Sequence, residues 1–346
     1  MAIVISGSSG FVGQALIQYL QKQAACPESD SSESGKFETD IVALCRQAPK
    51  AAADGVQYQV IDDWSGKHLS ATINTGDSIV HLAGRAHQGH KCPGEEARLQ
   101  EQSHLTLSQK LAKAAKAKGA KRFIYISSAK VFAENSEGHA QAFTQAIEPK
   151  PEDPYSRAKW NTEQWLEEYC TRHGLELIIL RPGLIYDRHA KGNIAKLQAL
   201  VNSGLPLPFA GLNKRRDMIS LVNLCHLIGH CISCPTPARH TFVAADGASL
   251  STSELITLLA IAEGKKARLF RLPNWLLKLL MTFSPFKQQW QKLSSEFALD
   301  NRECKKQLNW QAPFSPKQSL LEHSFSETAA RTANTPTNEH KHNGAQ

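Results

Sequence analysis

Six short runs rich in Ile and Val punctuate the first half of the chain: residues 3–5, then "DIVALCR" (40–46), "VQYQVID" (56–62), "SIVHLAG" (78–84), "RFIYISS" (122–128) and "ELIILRP" (176–182). Each has strand length and several are apolar at successive positions, as in strands covered on both faces. Between several of them, apolar residues recur at helical spacing, over 11–20, 105–117 and 157–172. This alternation predicts an α/β fold built on a doubly wound parallel sheet. After Pro182 the pattern changes, and Pro and Gly break the chain into shorter elements up to about residue 321. A smaller lobe over the C-terminal edge of the sheet is expected there, where open α/β sheets bind ligands. "PESDSSESGK" (27–36) reads as a polar loop after the first helix, and no internal repeat is present.

The first run ends in "GSSGFVG", which places Gly7, Gly10 and Gly13 around Phe11 and Val12 between a strand and a helix. Such a turn brings backbone N–H groups close to a pyrophosphate at the positive end of the helix. Other tight strand-to-helix turns share the spacing, so the motif needs support from elsewhere. "YSRAK" supplies it: Tyr155 and Lys159 stand at i and i+4, on one helical face. A free phenol has a pKa of about 10 and is a poor acid–base catalyst at neutral pH. A neighbouring ammonium favours the phenolate, and the pair can then move a proton at a sugar or alcohol oxygen while a nicotinamide carries the hydride. Ser127 and Ser128 end the preceding strand and offer a hydroxyl to orient that oxygen. The expected division is a dinucleotide-binding domain over 1–181, a substrate-binding lobe over 182–325 and a disordered polar tail over 326–346.

Composition narrows the function classes. With 41% hydrophobic residues in 346, the chain buries a sizeable core and is not a disordered protein. The net charge of +8 suits nucleic acid, a membrane surface or a phosphorylated small molecule. Lys110, Lys113, Lys116, Lys118 and Lys121 alternate with Ala and Leu and read as the solvated face of a helix, so nucleic acid is not an expected partner. Among eight cysteines only Cys231 and Cys234 form a C-x-x-C pair, which fits a reducing compartment. No signal-peptide pattern opens the chain, and a cytoplasmic location is expected. "WLLKLLMTF" from Trp275 falls short of the ~20 residues that span a bilayer. Packing on the protein's own core is preferred for it over contact with a membrane interface. His81, His87, His90 and Cys92 straddle a strand and a loop, and no metal is expected from them. Trp160 and Trp165 read as packing residues.

Taken in order, the glycine motif, "HLAG", "YISSAKVF", "DPYSRAK" and "LRPGLIY" resemble the extended short-chain dehydrogenase/reductase family, over nearly the whole chain to about residue 321. "KGN", "RRDMISLVNL" and "LNWQAPFS" are similar to segments of nucleotide-sugar epimerases, dehydratases and 4-ketoreductases. "SSAKV", "DPYSRAKW" and "LSTSELI" resemble the UDP-glucose 4-epimerase-like subgroup, which includes UDP-N-acetylquinovosamine-forming 4-ketoreductases of surface-polysaccharide synthesis. The resemblance implies a Rossmann-type sheet and assigns catalysis to Ser128, Tyr155 and Lys159, with Lys159 also on the nicotinamide ribose. It places Ala83 and Gly84 beside the nicotinamide half, Asp62 near the adenine, and Pro182 over the nicotinamide. Asn193 and Arg216 fall where the family contacts the diphosphate of a UDP-sugar, a role that suits the planar fork of an arginine. A homodimer through the Tyr155 helix and the lysine-rich helix is common in similar proteins.

Three departures from the family pattern stand out. His104 occupies a position that is often Asn, and Lys130 replaces a small residue and is expected to face the sugar. Cys45 and Arg46 stand where NAD-preferring members carry an acidic residue, so NADP(H) is expected over NAD(H). The expected activity is NAD(P)-dependent reduction of a 4-keto UDP-hexose, with 4-epimerisation of a UDP-hexose as the alternative. Reduction of a small non-nucleotide carbonyl leaves Asn193 and Arg216 without a role. A non-catalytic dinucleotide-binding regulator leaves Ser128, Tyr155 and Lys159 without one.

Overall fold

The first apolar run becomes the middle of a seven-stranded sheet. A computed structural model of the chain describes residues 1–25, 39–49, 51–61, 66–84, 94, 98, 102–139, 141–190, 192–235, 239–273, 276 and 294–325. Strand β1 (Ala2–Ser6) pairs in parallel with β2 (Asp40–Cys45) on one side and β4 (Ser78–His81) on the other. β3 (Val56–Val60) lies outside β2, and β5 (Arg122–Ile126), β6 (Glu176–Pro182) and β10 (Arg239–Ala244) follow β4, giving the order β10-β6-β5-β4-β1-β2-β3, parallel throughout. Every residue of β1, β4 and β5 is buried, because helices cover both faces.

The two-residue period of a strand still sorts the side chains. Ile3 and Ile5 face a core shared with α1 (Phe11–Ala25) and α6 (Leu221–Ser233). Ala2 and Val4 face the opposite core, built from α2 (Gly66–Thr72), α3 (Leu107–Ala117) and α4 (Pro154–His173). On α3 the buried positions are Ser108, Leu111, Ala112, Ala114 and Ala115, while Lys110, Lys113 and Lys116 are exposed, the solvated face expected of that segment. Trp165 stacks on Tyr169 with ring centroids 4.8 Å apart, and Trp160 lies under the Arg181 guanidinium, so both tryptophans pack.

Beyond the sheet, α5 (Asn193–Asn202), α7 (Thr252–Ala262) and α9 (Pro316–Leu321) gather a separate apolar cluster. Two small sheets accompany it: β7 (Leu184–Tyr186) pairs with β9 (Met218–Ser220), and β8 (Arg215–Arg216) with β11 (Leu250–Ser251). The chain nevertheless returns to the main sheet after Pro182. Helix α6 packs on the β1 face, β10 extends the edge beyond β6, and α8 (Arg302–Leu308) places Cys304 and Leu308 in the same core. The sequence pattern did not disclose this return, since "RHTFVA" opens with polar residues and "LVNLCHLIGHCIS" is apolar almost all round. Arg122 locks it in place by donating to the carbonyls of Cys231 (2.6 Å) and Cys234 (2.8 Å) at the negative end of α6.

Six of the eight cysteines are described, all buried and none in a disulfide. No helix among the described residues is long and apolar enough to cross a membrane. The expected 27–36 loop, Asp62, His87, His90, Cys92, the stretch from Trp275 apart from Leu276, and the 326–346 tail lie outside the described residues.

Candidate active site

The glycine turn sits where the strand order reverses, between β1 and β4, which is the ligand-binding crevice of an open α/β sheet. Gly7 has φ +77°, and a β-carbon there would lie 2.6 Å from the Ala83 nitrogen; one at Gly13 would lie 2.3 Å from the Gly7 carbonyl. Only glycine permits this close approach. Gly10 donates its N–H to the Gly7 carbonyl (2.9 Å), and Ser8 donates its hydroxyl to the Leu44 carbonyl (2.8 Å), which ties the turn to β2. The result is an open backbone cradle at the N-terminus of the 15-residue α1, with Phe11 and Val12 half-buried at its start. Those features fit a dinucleotide pyrophosphate, and side chains at 7 or 13 would strike the backbone that shapes the turn. Arg46 is exposed just past the end of β2.

Beneath the turn lies a buried polar chain. The Ser6 hydroxyl meets His81 Nδ1 at 2.5 Å, His81 Nε2 meets the Ser108 hydroxyl at 2.7 Å, and Ser108 donates to the His104 carbonyl at 2.6 Å. Ser108 has one proton and spends it on His104, so His81 must donate from Nε2, and burial, which disfavours a second ring proton, makes Nδ1 the acceptor from Ser6. His81 is therefore neutral. Burial, and secondarily the charge of Lys159, push its pKa down to about 3. An unfolded histidine binds its proton near 6.5, so the unfolded chain holds more protons between the two values and stability falls as pH drops through that window. We expect wild-type unfolding free energy to fall from pH 7 to pH 4 at up to about 1.4 kcal/mol per unit from this residue. His81→Gln should flatten that part of the profile in urea titrations, and identical slopes would refute the assignment.

Helix α4 delivers the acid–base pair. Asp153 caps it, accepting from the Ser156 N–H (2.8 Å) while the Ser156 hydroxyl faces back, and Pro154 takes the first position. Tyr155 is thereby fixed in the first turn and Lys159 one turn later. Ser128, two residues past β5, favours the Tyr155 phenolate and accepts from the Lys130 N–H (3.2 Å). The two serines thus part company, because Ser127 turns into the core and donates to Glu163.

The cation beside Tyr155 is not the one the helical spacing suggested. Lys159 donates to the Ile126 carbonyl (2.6 Å) and lies over the Tyr125 ring at 4.6 Å. Burial lowers its pKa to about 7 against the opposing pull of Glu163. Lys130 instead stands 5.7 Å from the Tyr155 ring centroid, ion-paired to Asp153 and to Glu134 (2.9 Å). Burial raises the Tyr155 pKa, Lys130 draws it back, Asp153 raises it, and Ser128 lowers it. Desolvation works against the Lys130 ammonium, yet its two carboxylates hold its pKa above the ordinary value.

Arg216 is linked to Lys130 through a shared carboxylate, Glu134. Its guanidinium donates to the Ser295 hydroxyl (2.7 Å) and carbonyl (3.1 Å), covers the Phe297 ring at 5.2 Å, and feels Glu134, the carboxylate that also holds Lys130. Asn193 is the half-buried first residue of α5. Pro182 is buried at the end of β6, with Ala83 and Gly84 just past β4. Among the described residues no three His, Cys, Asp or Glu side chains group to hold a metal.

The model of the NAD dependent epimerase/dehydratase family matches residues 3–234. The chain belongs to that family. Its relatives include a UDP-glucose 4-epimerase from Vibrio cholerae, 30% identical over 331 residues and covering 95% of this chain and 94% of that protein. The crystal structure of UDP-N-acetylglucosamine 4-epimerase from Bacillus cereus superposes with a TM-score of 0.70 at 17% identity, over 93% of this chain and 94% of that one. UDP-glucose 4-epimerase of Thermus thermophilus, in complex with NAD, gives 0.68 at 16% identity, over 96% and 98%. At those identities the two structures speak for the shared fold. The extended short-chain dehydrogenase/reductase resemblance is thus sound. In this epimerase/dehydratase, sequence reasoning missed one buried group next to the candidate pair. Glu163 and Arg181 form an ion pair of 2.6 Å with side chains 0% and 4% exposed. The available signals were Glu163 at i+4 from Lys159 and Arg181 just before Pro182.

Proposed function

We propose that this enzyme transfers hydride at carbon 4 of a UDP-linked hexose, in the reductive direction on a 4-keto sugar, with NADP(H) as an exchangeable cofactor. The observation that carries the reading is the Tyr155 hydroxyl, raised in pKa by burial with Lys130 and Ser128 opposing that rise, in the first turn of α4. A bound nicotinamide supplies the hydride exchange with carbon 4. Gly7, Gly10, Phe11, Val12 and Gly13 would hold the pyrophosphate, Ala83, Gly84, Pro182 and Lys159 the nicotinamide half, and Asp62 the adenine side. Ser128 orients the sugar oxygen. Tyr155, kept protonated by its surroundings, acts as the general acid toward that oxygen, which suits reduction. Lys130 offsets part of the burial and shapes the pocket beside the ring. Arg46 supports NADP(H), since a guanidinium pairs with a 2′-phosphate and neither residue 45 nor 46 is acidic.

Asn193 and Arg216 belong to the UDP diphosphate in this reading. Charge-assisted hydrogen bonds from a half-buried arginine imply that Arg216→Ala weakens UDP on the order of ten- to a hundredfold and dinucleotide little. Separate titrations with UDP and NADPH check this, and equal losses would remove the lobe from the substrate site.

A second reading, 4-epimerisation on a retained NAD, is favoured by the full-length likeness to the Vibrio cholerae protein of that name. Two assays separate them: NADPH absorbance with a UDP-4-keto-6-deoxy-hexosamine, and interconversion of UDP-glucose and UDP-galactose without added cofactor. NADPH consumption with the keto sugar supports reduction. Protein that arrives with NAD bound, interconverts the hexoses and leaves NADPH untouched is an epimerase.

A further inference from the structure

One buried ring outside the residues assigned so far touches both halves of the site. Gln102–Thr106 forms a π-helical turn ahead of α3. Such turns are rare and occur often at functional positions. His104 sits in this turn, 1% exposed, with its carbonyl held by Ser108. Its ring meets Tyr155 edge to face, with centroids 5.5 Å apart and planes at 79°, a geometry that aromatic pairs favour. The same ring rests against Gly84: a β-carbon built there would lie 2.0 Å from His104 Cε1 and 2.3 Å from Nδ1. Any side chain at 84 would displace the imidazole.

We propose that His104 is a positioning residue, wedged between the Gly84 turn and the Tyr155 ring so that the phenol is held at the angle from which its hydroxyl reaches Ser128 and the sugar oxygen. The assignment rests on the reading of Tyr155 as the proton-transfer group. Its structural basis is independent of the cofactor. The inserted residue of the π turn brings an imidazole to a place where the missing side chain of Gly84 leaves room for it. The Ser6, His81 and Ser108 chain then anchors the turn to β1 and β4, the strands that carry the glycine turn and Ala83. Two elements that meet the two reacting partners are thus registered through one ring.

The test compares His104→Ala, His104→Asn and His104→Phe with wild type. Asn keeps a polar atom and loses the ring, whereas Phe keeps the ring and loses the nitrogens. Misplacing a reacting group by about 1 Å costs on the order of a hundredfold. Ala and Asn should therefore lose roughly ten- to a hundredfold in kcat with the UDP-sugar KM within about twofold, and Phe should retain most of the rate. The second readout needs neither cofactor nor turnover: the protein is labelled with 3-fluorotyrosine, and the Tyr155 resonance is assigned by its loss in Tyr155→Phe. It should broaden or average in Ala and Asn, as the ring gains freedom, and stay as in wild type in Phe. Melting curves confirm folding, and if Phe does not fold the fluorine spectra of Ala and Asn decide alone. Wild-type kcat and an unmoved Tyr155 resonance in Ala overturn the proposal. So does a folded Phe variant as slow as Ala with an unmoved resonance, which assigns the nitrogens a chemical role. Full activity of Tyr155→Phe removes the acid–base reading instead, while the fluorine spectra still report whether His104 holds the ring.

Discussion

Tyr155→Phe is expected to lower kcat by a factor on the order of 10² to 10⁴ while leaving dinucleotide affinity within about twofold. Phenylalanine preserves the edge contact with His104 and the packing of the first turn of α4, and removes only the oxygen that Ser128 engages. The Asp153 cap does not depend on residue 155, so the helix start survives the change. Steady-state turnover of the UDP-sugar, beside a fluorescence titration with NADPH, separates chemistry from binding. A variant that turns over at the wild-type rate makes Tyr155 a structural residue and ends the proposed mechanism.

Glu163→Leu should be the most destabilising single change near the site. The carboxylate accepts from Arg181 Nε (3.0 Å) and a terminal nitrogen (2.6 Å), and from the Ser127 hydroxyl. Arg181 in turn lies over Phe132 at 5.0 Å and Trp160 at 5.5 Å, and its side chain is 4% exposed. Removing one partner strands a buried guanidinium, at a cost of about 3–5 kcal/mol, whereas replacing both by apolar groups is often near neutral. Urea denaturation of Glu163→Leu, Arg181→Met and the double variant measures this. We expect the double variant to recover most of the loss, and additive losses would show that the residues do not act as a pair.

The pair also bears on catalysis through Lys159. Glu163 is the counter-charge that opposes the desolvation of that ammonium, whose pKa lies at about 7. A neutral residue at 163 therefore favours loss of the Lys159 proton near physiological pH. The i, i+4 spacing of Lys159 and Glu163 is the one local sign of this, and the other partners of Glu163 are distant. Glu163 and Ser127 are 36 residues apart, and Glu163 and Arg181 are 18 apart on different elements.

What could be read in advance followed from short-range geometry. The Ile- and Val-rich runs became strands of the main sheet, apolar at most positions where helices cover both faces and alternating with Gln in the half-exposed edge strand β3. The glycine spacing marked a close turn, since only a residue without a β-carbon fits 2.6 Å from Ala83. Tyr155 and Lys159 share a helix for the same local reason, one turn of separation. The helical pattern was read from 157, and the structure starts α4 three residues earlier, at Pro154, behind the Asp153 cap.

The amino-acid sequence by itself thus determined the sheet, the cofactor-type turn, the helix that carries Tyr155 and, through the family match, the broad class of enzyme. Only the tertiary structure decided which charge stands beside Tyr155, which serine faces it, which tautomer His81 takes, and where the chain rejoins the sheet at β10. Strand and helix patterns repeat every two to four residues and are written in the local sequence. Partners such as Lys130 with Asp153, Ser6 with His81, or Arg122 with Cys231 are 23, 75 and 109 residues apart. They meet because packing of the whole core brings them together, and for His81 it is burial in that core that sets the charge.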